Sequence, residues 1–175
     1  EREARLPKPY FDEGGITIWN CDCRDVIPML PKVDLVLTDP PYGVELGSNV
    51  ENRRGQNHTL AKQAYASYSD TLENLKLVIV PTIQELLVRS TRAVVFCCGM
   101  NLVEFPRPTA IGGAFFPAGT GRNPWGFNTC ALALLYGQAA RLNAGSRPTM
   151  ISVTASGDKN GHPCPKPTVL MRHFV

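Results

Sequence analysis

Residues 33–38 read Val-Asp-Leu-Val-Leu-Thr and run directly into Asp39-Pro40-Pro41-Tyr42. A short, β-branched apolar run of this kind is the pattern of a buried strand. Two successive prolines then fix φ and remove the backbone donors that would let the strand continue. The chain must therefore bury a short strand and stop it at an acidic residue. In an open parallel sheet, ligands bind beyond the carboxyl ends of the strands, which puts Asp39 at a functional rim.

The flanking segments supply the rest of such a sheet. Residues 16–19 (Ile-Thr-Ile-Trp) are a second strand candidate. Residues 21–30, with an acidic start and apolar Val26, Ile27, Met29 and Leu30, suit a short crossover helix. Strand, helix, strand implies a parallel pair and an α/β fold. Residues 71–90 place Leu72, Leu75, Ile79, Ile83, Leu86 and Leu87 at near-helical spacing, interrupted by Pro81, and 93–97 (Ala-Val-Val-Phe-Cys) follow as a third buried strand. Residues 43–70 are polar and read as a mobile surface loop. Residues 99–161 are broken by prolines and glycines and read as an irregular segment with one clear strand at 131–136. A short terminal helix is expected over 168–174.

Composition bounds the class. At 175 residues, 43% hydrophobic and 19% charged, the chain suits one domain with a sizeable core, residues 1–175, and is neither disordered nor fibrous. Its net charge of +3, from 18 basic and 15 acidic residues, is a mild bias. The six cysteines come as Cys-x-Cys and Cys-Cys without a Cys-x-x-Cys pair, and the three histidines have no ligand spacing, so reduced thiols and no metal site are expected. No apolar run is long enough to cross a bilayer, and no basic-then-apolar signal opens the sequence, so a cytoplasmic protein is expected.

The Asp39–Tyr42 run is an acceptor-only cradle with an aromatic ring beside it. The Asp39 side chain and the Pro40 carbonyl can each accept an N–H from a planar amino group, while Tyr42 stacks on the ring that bears it. Two accepted hydrogen bonds favour a pyramidal nitrogen with its lone pair available to attack an in-line sulfonium methyl. Read without that chemistry, the tetrapeptide is a strand-ending turn.

This run resembles the catalytic motif of S-adenosylmethionine-dependent amino-methyltransferases acting on adenine N6 or cytosine N4 of DNA. Ile16–Asp22, the stretch Gly121-Arg122-Asn123-Pro124-Trp125-Gly126-Phe127-Asn128, and His162-Pro163-Cys164-Pro165-Lys166-Pro167 resemble further segments of the same family, in the order of its permuted branch. The resemblance implies a Rossmann-like fold, a parallel-rich sheet flanked by helices. It also implies that Asp39, Pro40, Pro41 and Tyr42 hold and stack an extruded base. Asp22, with Cys21 beside it, falls where the family contacts the cofactor's adenine, a role compatible with capping the next helix. Asp39, His162 and Lys166 fall against the methionine end of the S-adenosylmethionine pocket.

A base inside a duplex cannot enter such a pocket, so extrusion is required and DNA contacts must come from elsewhere. Arg53, Arg54, His58 and Lys62 in the 43–70 loop, and Arg107, Arg122, Trp125 and Phe127 in the 99–161 segment, offer phosphate binders and stacking groups. For each arginine a solvated surface role is the alternative, and for Trp125 and Phe127 a place in the local core.

The sequence departs from the family in one large respect. The glycine-rich cofactor loop that should follow residues 162–167 is absent, and neither Gly112-Gly113 nor Gly119-Thr120-Gly121 follows a strand and opens a helix as that loop must. The expectation is the first part of a permuted DNA methyltransferase, truncated before the cofactor loop. Its partners would be DNA, a cognate restriction endonuclease, and a second copy or complementing chain that covers the sheet edges left open. Alternatives are an amino-methyltransferase acting on RNA or protein, and a non-catalytic nucleic-acid-binding fragment.

Overall fold

The computed structural model describes residues 6–45, 68–119, 121–138, 147–154 and 165–175. Its centre is a five-stranded mixed sheet with helices on both faces, an α/β arrangement. The strands are β3 (Val33–Thr38), β4 (Ser90–Cys97), β5 (Ala110–Phe115), β8 (Cys130–Gly137) and β9 (Met150–Ser152), after a separate N-terminal pair, β1 (Phe11–Glu13) and β2 (Ile16–Ile18). A hairpin of β6 (Gly121–Asn123) and β7 (Gly126–Asn128) stands between β5 and β8. The spatial order in the sheet is β3-β4-β8-β5-β9, with β3 at one edge.

The unit from β3 to β4 follows the expectation. A helical run, α1, joins an α turn (Leu72–Asn74), a π turn (Leu75–Ile79) and an α segment (Val80–Val88), and β4 returns parallel to β3 in the register Leu37↔Val94 and Thr38↔Val95. Thr71 caps its start, its hydroxyl accepting from the Asn74 N–H at 3.2 Å. Pro81 brings no backbone N–H and crowds the preceding turn, which is where the helix widens into the π turn. The run passes through Pro81 without ending.

The alternation of β4 assigns the two cores. Val95 and Cys97 face α1, packing with Leu75, Ile83, Phe105 and Leu134. Val94 and Phe96 face the opposite side, where Ala114, Ala133, Val153 and Leu170 close the second core under α2 (Thr168–Phe174). Leu35, Leu37 and Tyr42 pack on this second core. The side chains of β4 from Ala93 to Cys97 are all buried, as expected of a strand covered on both faces.

Three expectations are corrected. Residues 16–19 do not form a strand parallel to β3: Ile16–Ile18 pairs antiparallel with Phe11–Glu13, exposed and outside the main sheet. The cause is local, since Gly14 and Gly15 both adopt positive φ and close a two-residue hairpin. Residues 21–30 are two 3-10 turns, Cys23–Asp25 and Ile27–Met29, in place of a crossover helix, with Pro28 inside the second. The sheet is not parallel-rich, because β8 lies antiparallel to both β4 and β5. A link of residues 116–129 between β5 and β8 is short enough for antiparallel neighbours.

The segment 99–161 is also more regular than expected. It contributes β5, β8 and β9 to the sheet, and β5 escaped notice because Gly112-Gly113 interrupts its apolar pattern. Both glycines are demanded by close approach, since a Cβ on Gly112 would strike the Thr149 carbonyl and one on Gly113 the Ala131 carbonyl. Among the described residues no helix is long and apolar enough to cross a membrane.

Candidate functional site

Thr38 ends β3, and Asp39-Pro40-Pro41-Tyr42 follow at its carboxyl end, beside the end of the parallel strand β4. The segment just after Tyr42 is tightly held. Asn101, in the 3-10 turn Gly99–Glu104 that follows β4, donates through Nδ2 to the carbonyls of Tyr42 at 2.7 Å and Gly43 at 3.1 Å. Just ahead of α1, the buried carboxylate of Asp70 accepts the Gly43 N–H at 2.6 Å and the Val44 N–H at 3.3 Å. The Asp70 carbonyl accepts the Glu45 N–H at 2.7 Å. Gly43 itself has φ +69°, and a Cβ there would meet the Leu75 Cβ at 3.0 Å and the Leu72 Cα at 3.2 Å. Only glycine combines that conformation with that clearance against α1.

The Asp39 carboxylate is partly exposed, at 31%, and each of its oxygens is engaged. Oδ1 accepts the Tyr42 hydroxyl, and Oδ2 accepts the Lys166 ammonium at 2.6 Å. The Lys166 Nζ also lies 5.5 Å from the ring centroid of Tyr42 and 5.5 Å from that of Phe96, within the range of cation–π attraction. Burial pushes the Tyr42 phenol far up from its ordinary pKa, and the Asp39 charge beside it adds to the shift. Tyr42 is therefore a neutral donor to Asp39 throughout the physiological range.

The structure thus brings together Asp39, Tyr42 and Lys166, residues 127 positions apart at the extremes. Lys166, expected together with Asp39 at the methionine end of a cofactor pocket, is bonded to the Asp39 carboxylate. Asp22 caps the first 3-10 turn by accepting the Arg24 N–H at 2.9 Å, and it binds the Arg24 guanidinium with a shortest contact of 2.5 Å. Those hydrogen bonds from Arg24 hold its carboxyl down to about 2. The capping alternative is therefore present in the structure. Cys21 is exposed beside it.

Trp125 occupies the turn between β6 and β7 and is 99% exposed, and Phe127 in β7 is exposed as well, so neither belongs to the core. Arg122 lies on β6 opposite Phe127. Arg53, Arg54, His58, Lys62 and His162 lie outside the described residues. Among the described residues no group of three or more His, Cys, Asp or Glu side chains could hold a metal ion.

Asp70, Asn101 and Phe96 were missed as contributors to this site. Asn101 carried a usable signal: it follows a strand parallel to β3, and the rule that places Asp39 at the rim places the residues after β4 there too. Asp70 carried only the pattern of a polar residue ahead of a helix. Phe96 was indistinguishable from any core residue.

No protein-family model, curated protein or solved structure matches this chain.

Proposed function

We propose that this chain carries the amine-acceptor side of a DNA amino-methyltransferase, which accepts the exocyclic amine of an extruded adenine (N6) or cytosine (N4). One observation carries the reading: an N–H donor, the Lys166 ammonium, rests on Asp39 at 2.6 Å with the Tyr42 and Phe96 ring centroids each 5.5 Å from its nitrogen. The cradle read from Asp39-Pro40-Pro41-Tyr42 therefore fits an N–H donor. At the level of class, the mixed sheet with helices on both faces agrees with a Rossmann-like domain.

In this reading Asp39 accepts one N–H of the target amine, and the Pro40 carbonyl, with no neighbouring backbone donor at Pro40 or Pro41, accepts the other. The nitrogen is held pyramidal with its lone pair turned away from the carboxylate, and the Tyr42 ring stacks on the base. Positioning supplies the rate, so no strong base is needed before attack. The hairpin tip at Trp125, with Arg122 on the same hairpin, is the proposed DNA contact, an exposed aromatic group suited to the stack that an extruded base leaves.

The methyl donor implied by the resemblance is S-adenosylmethionine, which supplies an electrophilic sulfonium methyl when bound. The described residues do not build its pocket. Asp22 is engaged by Arg24, Gly112-Gly113 lie inside β5, and no described glycine-rich turn joins a strand end to a helix. Their contribution is to hold and orient the amine.

Transfer of tritiated methyl from S-adenosylmethionine to unmodified DNA tests the proposal. Asp39→Ala should lower incorporation by about a hundredfold or more, the usual effect of losing alignment at a reacting centre. Equal labelling above background by both proteins would end the Asp39 assignment, and no labelling by the wild type would end the transferase reading. Because the nitrogen seen on Asp39 is aliphatic, an amine on a protein is the second reading, and label recovered in protein instead of DNA would select it.

A further inference from the structure

We propose that the Lys166 ammonium is a tethered competitor for the acceptor seat, so that the target amine enters only when Lys166 leaves Asp39. The inference rests on the amine-acceptor reading and says how that site is kept closed. Two features of Lys166, its bond to Asp39 and its place by Tyr42, copy what the incoming amine must do, and its place by Phe96 adds to its hold. Its Nζ donates to Asp39 Oδ2 at 2.6 Å, lies 5.5 Å from the Tyr42 centroid, and lies 5.5 Å from the centroid of the fully buried Phe96. The other carboxylate oxygen is already taken by the Tyr42 hydroxyl.

The arrangement has a physical reason. One oxygen of the Asp39 carboxylate is held by the Tyr42 hydroxyl, and an ammonium from the same chain meets the charge on the other. Lysine suits the task because its single point charge sits on a flexible stem that can withdraw, whereas an arginine fork would hold both oxygens in a fixed plane. The Lys166 side chain is only 18% exposed and emerges from the residues that lead into α2. The backbone on which Lys166 swings is thereby anchored by the packing of Leu170 in the second core. Any acceptor bound at Asp39 must displace this contact, so its apparent affinity is reduced by the fraction of time the seat is open.

The probe is methylammonium, a primary amine too small to contact anything beyond the seat, titrated calorimetrically into the wild-type protein and Lys166→Met. If the latch is open about one-tenth of the time, Lys166→Met should bind methylammonium about tenfold more tightly than wild type. Tetramethylammonium, which has no N–H, should bind neither with comparable affinity, because the seat is read by hydrogen bonding to Asp39 and not by the rings alone. Adding Asp39→Asn to Lys166→Met should abolish the gain. Lys166→Gln, neutral and of similar length, replaces Lys166→Met if the latter does not fold. Equal methylammonium affinity in wild type and the folded variant, or no binding to the variant, overturns the proposal, and so does tetramethylammonium binding as well as methylammonium. The titration needs neither methyl donor nor DNA. Its failure is thus separable from failure of the transferase reading, which the Asp39→Ala assay decides.

Discussion

Asp70→Ala removes the carboxylate that ties the chain after Tyr42 to the start of α1. Asp70 is 7% exposed, and its oxygens accept the Gly43 N–H at 2.6 Å and the Val44 N–H at 3.3 Å. A hydrogen bond to a charged group contributes about 1.5–3 kcal/mol, and a buried donor stripped of its acceptor costs about 1–3 kcal/mol. The shorter bond should carry most of this and the longer one a fraction. The expected loss is therefore about 2–4 kcal/mol, a large share of the roughly 5–15 kcal/mol that holds a domain folded. At about 2–4 °C per kcal/mol for a chain of this size, Tm should fall by between about 4 and 16 °C. Thermal and urea unfolding followed by circular dichroism measure it, with Asp70→Asn, which keeps one acceptor oxygen, falling between wild type and Asp70→Ala. A change in Asp70→Ala of less than about 0.5 kcal/mol, the range of ordinary surface substitutions, would refute the claim that these bonds hold the segment.

Two further outcomes follow from burial. Leu170 is fully buried under the second core face, so Leu170→Ala should cost about 2–5 kcal/mol, read from the urea midpoint, and an unchanged midpoint would mean that α2 is not packed there. Burial pushes the Cys97 thiol up to about 11 and the Tyr136 phenol up to about 12. Both groups favour the neutral form in the folded state, so their contribution is complete below their ordinary values and is lost as pH rises through the folded ones. Stability should fall between about pH 9 and 12, and Cys97→Ala should flatten the lower part of that fall in urea titrations; identical slopes would remove Cys97 as a cause.

Strand β3, helix α1 and strand β4 were legible because each announces itself locally. The Val33–Thr38 run, the near-helical leucines of residues 71–90 and the apolar run ending at Cys97 are bounded by turn or capping residues. The strand expected at residues 16–19 forms, but its β-branched pattern does not name its partner, which the Gly14-Gly15 turn supplies as β1. Strand β5 was hidden by glycines that its neighbours' backbones require. The antiparallel place of β8 between β4 and β5 was not written in β8 itself, whose apolar run fits either direction.

The same division runs through the site. Asp39, the two prolines and Tyr42 are contiguous, so their chemistry, an acceptor at a strand end with an aromatic beside it, can be read from covalent order and backbone restriction alone. Lys166 is 127 positions from Asp39, and nothing in the residues between states that they meet. That contact exists because α2 packs its buried Leu170 on the face of β4 that also carries Phe96, delivering the preceding residues to the end of β3. Asn101 and Asp70 reach the segment after Tyr42 through the parallel pairing of β3 with β4 and the return of the chain to α1. Residue identity determines which groups can accept, donate or stack, because that is local chemistry. Which of them share one carboxylate is decided by packing, because burying apolar surface on both sides of the sheet sets where distant segments come to rest.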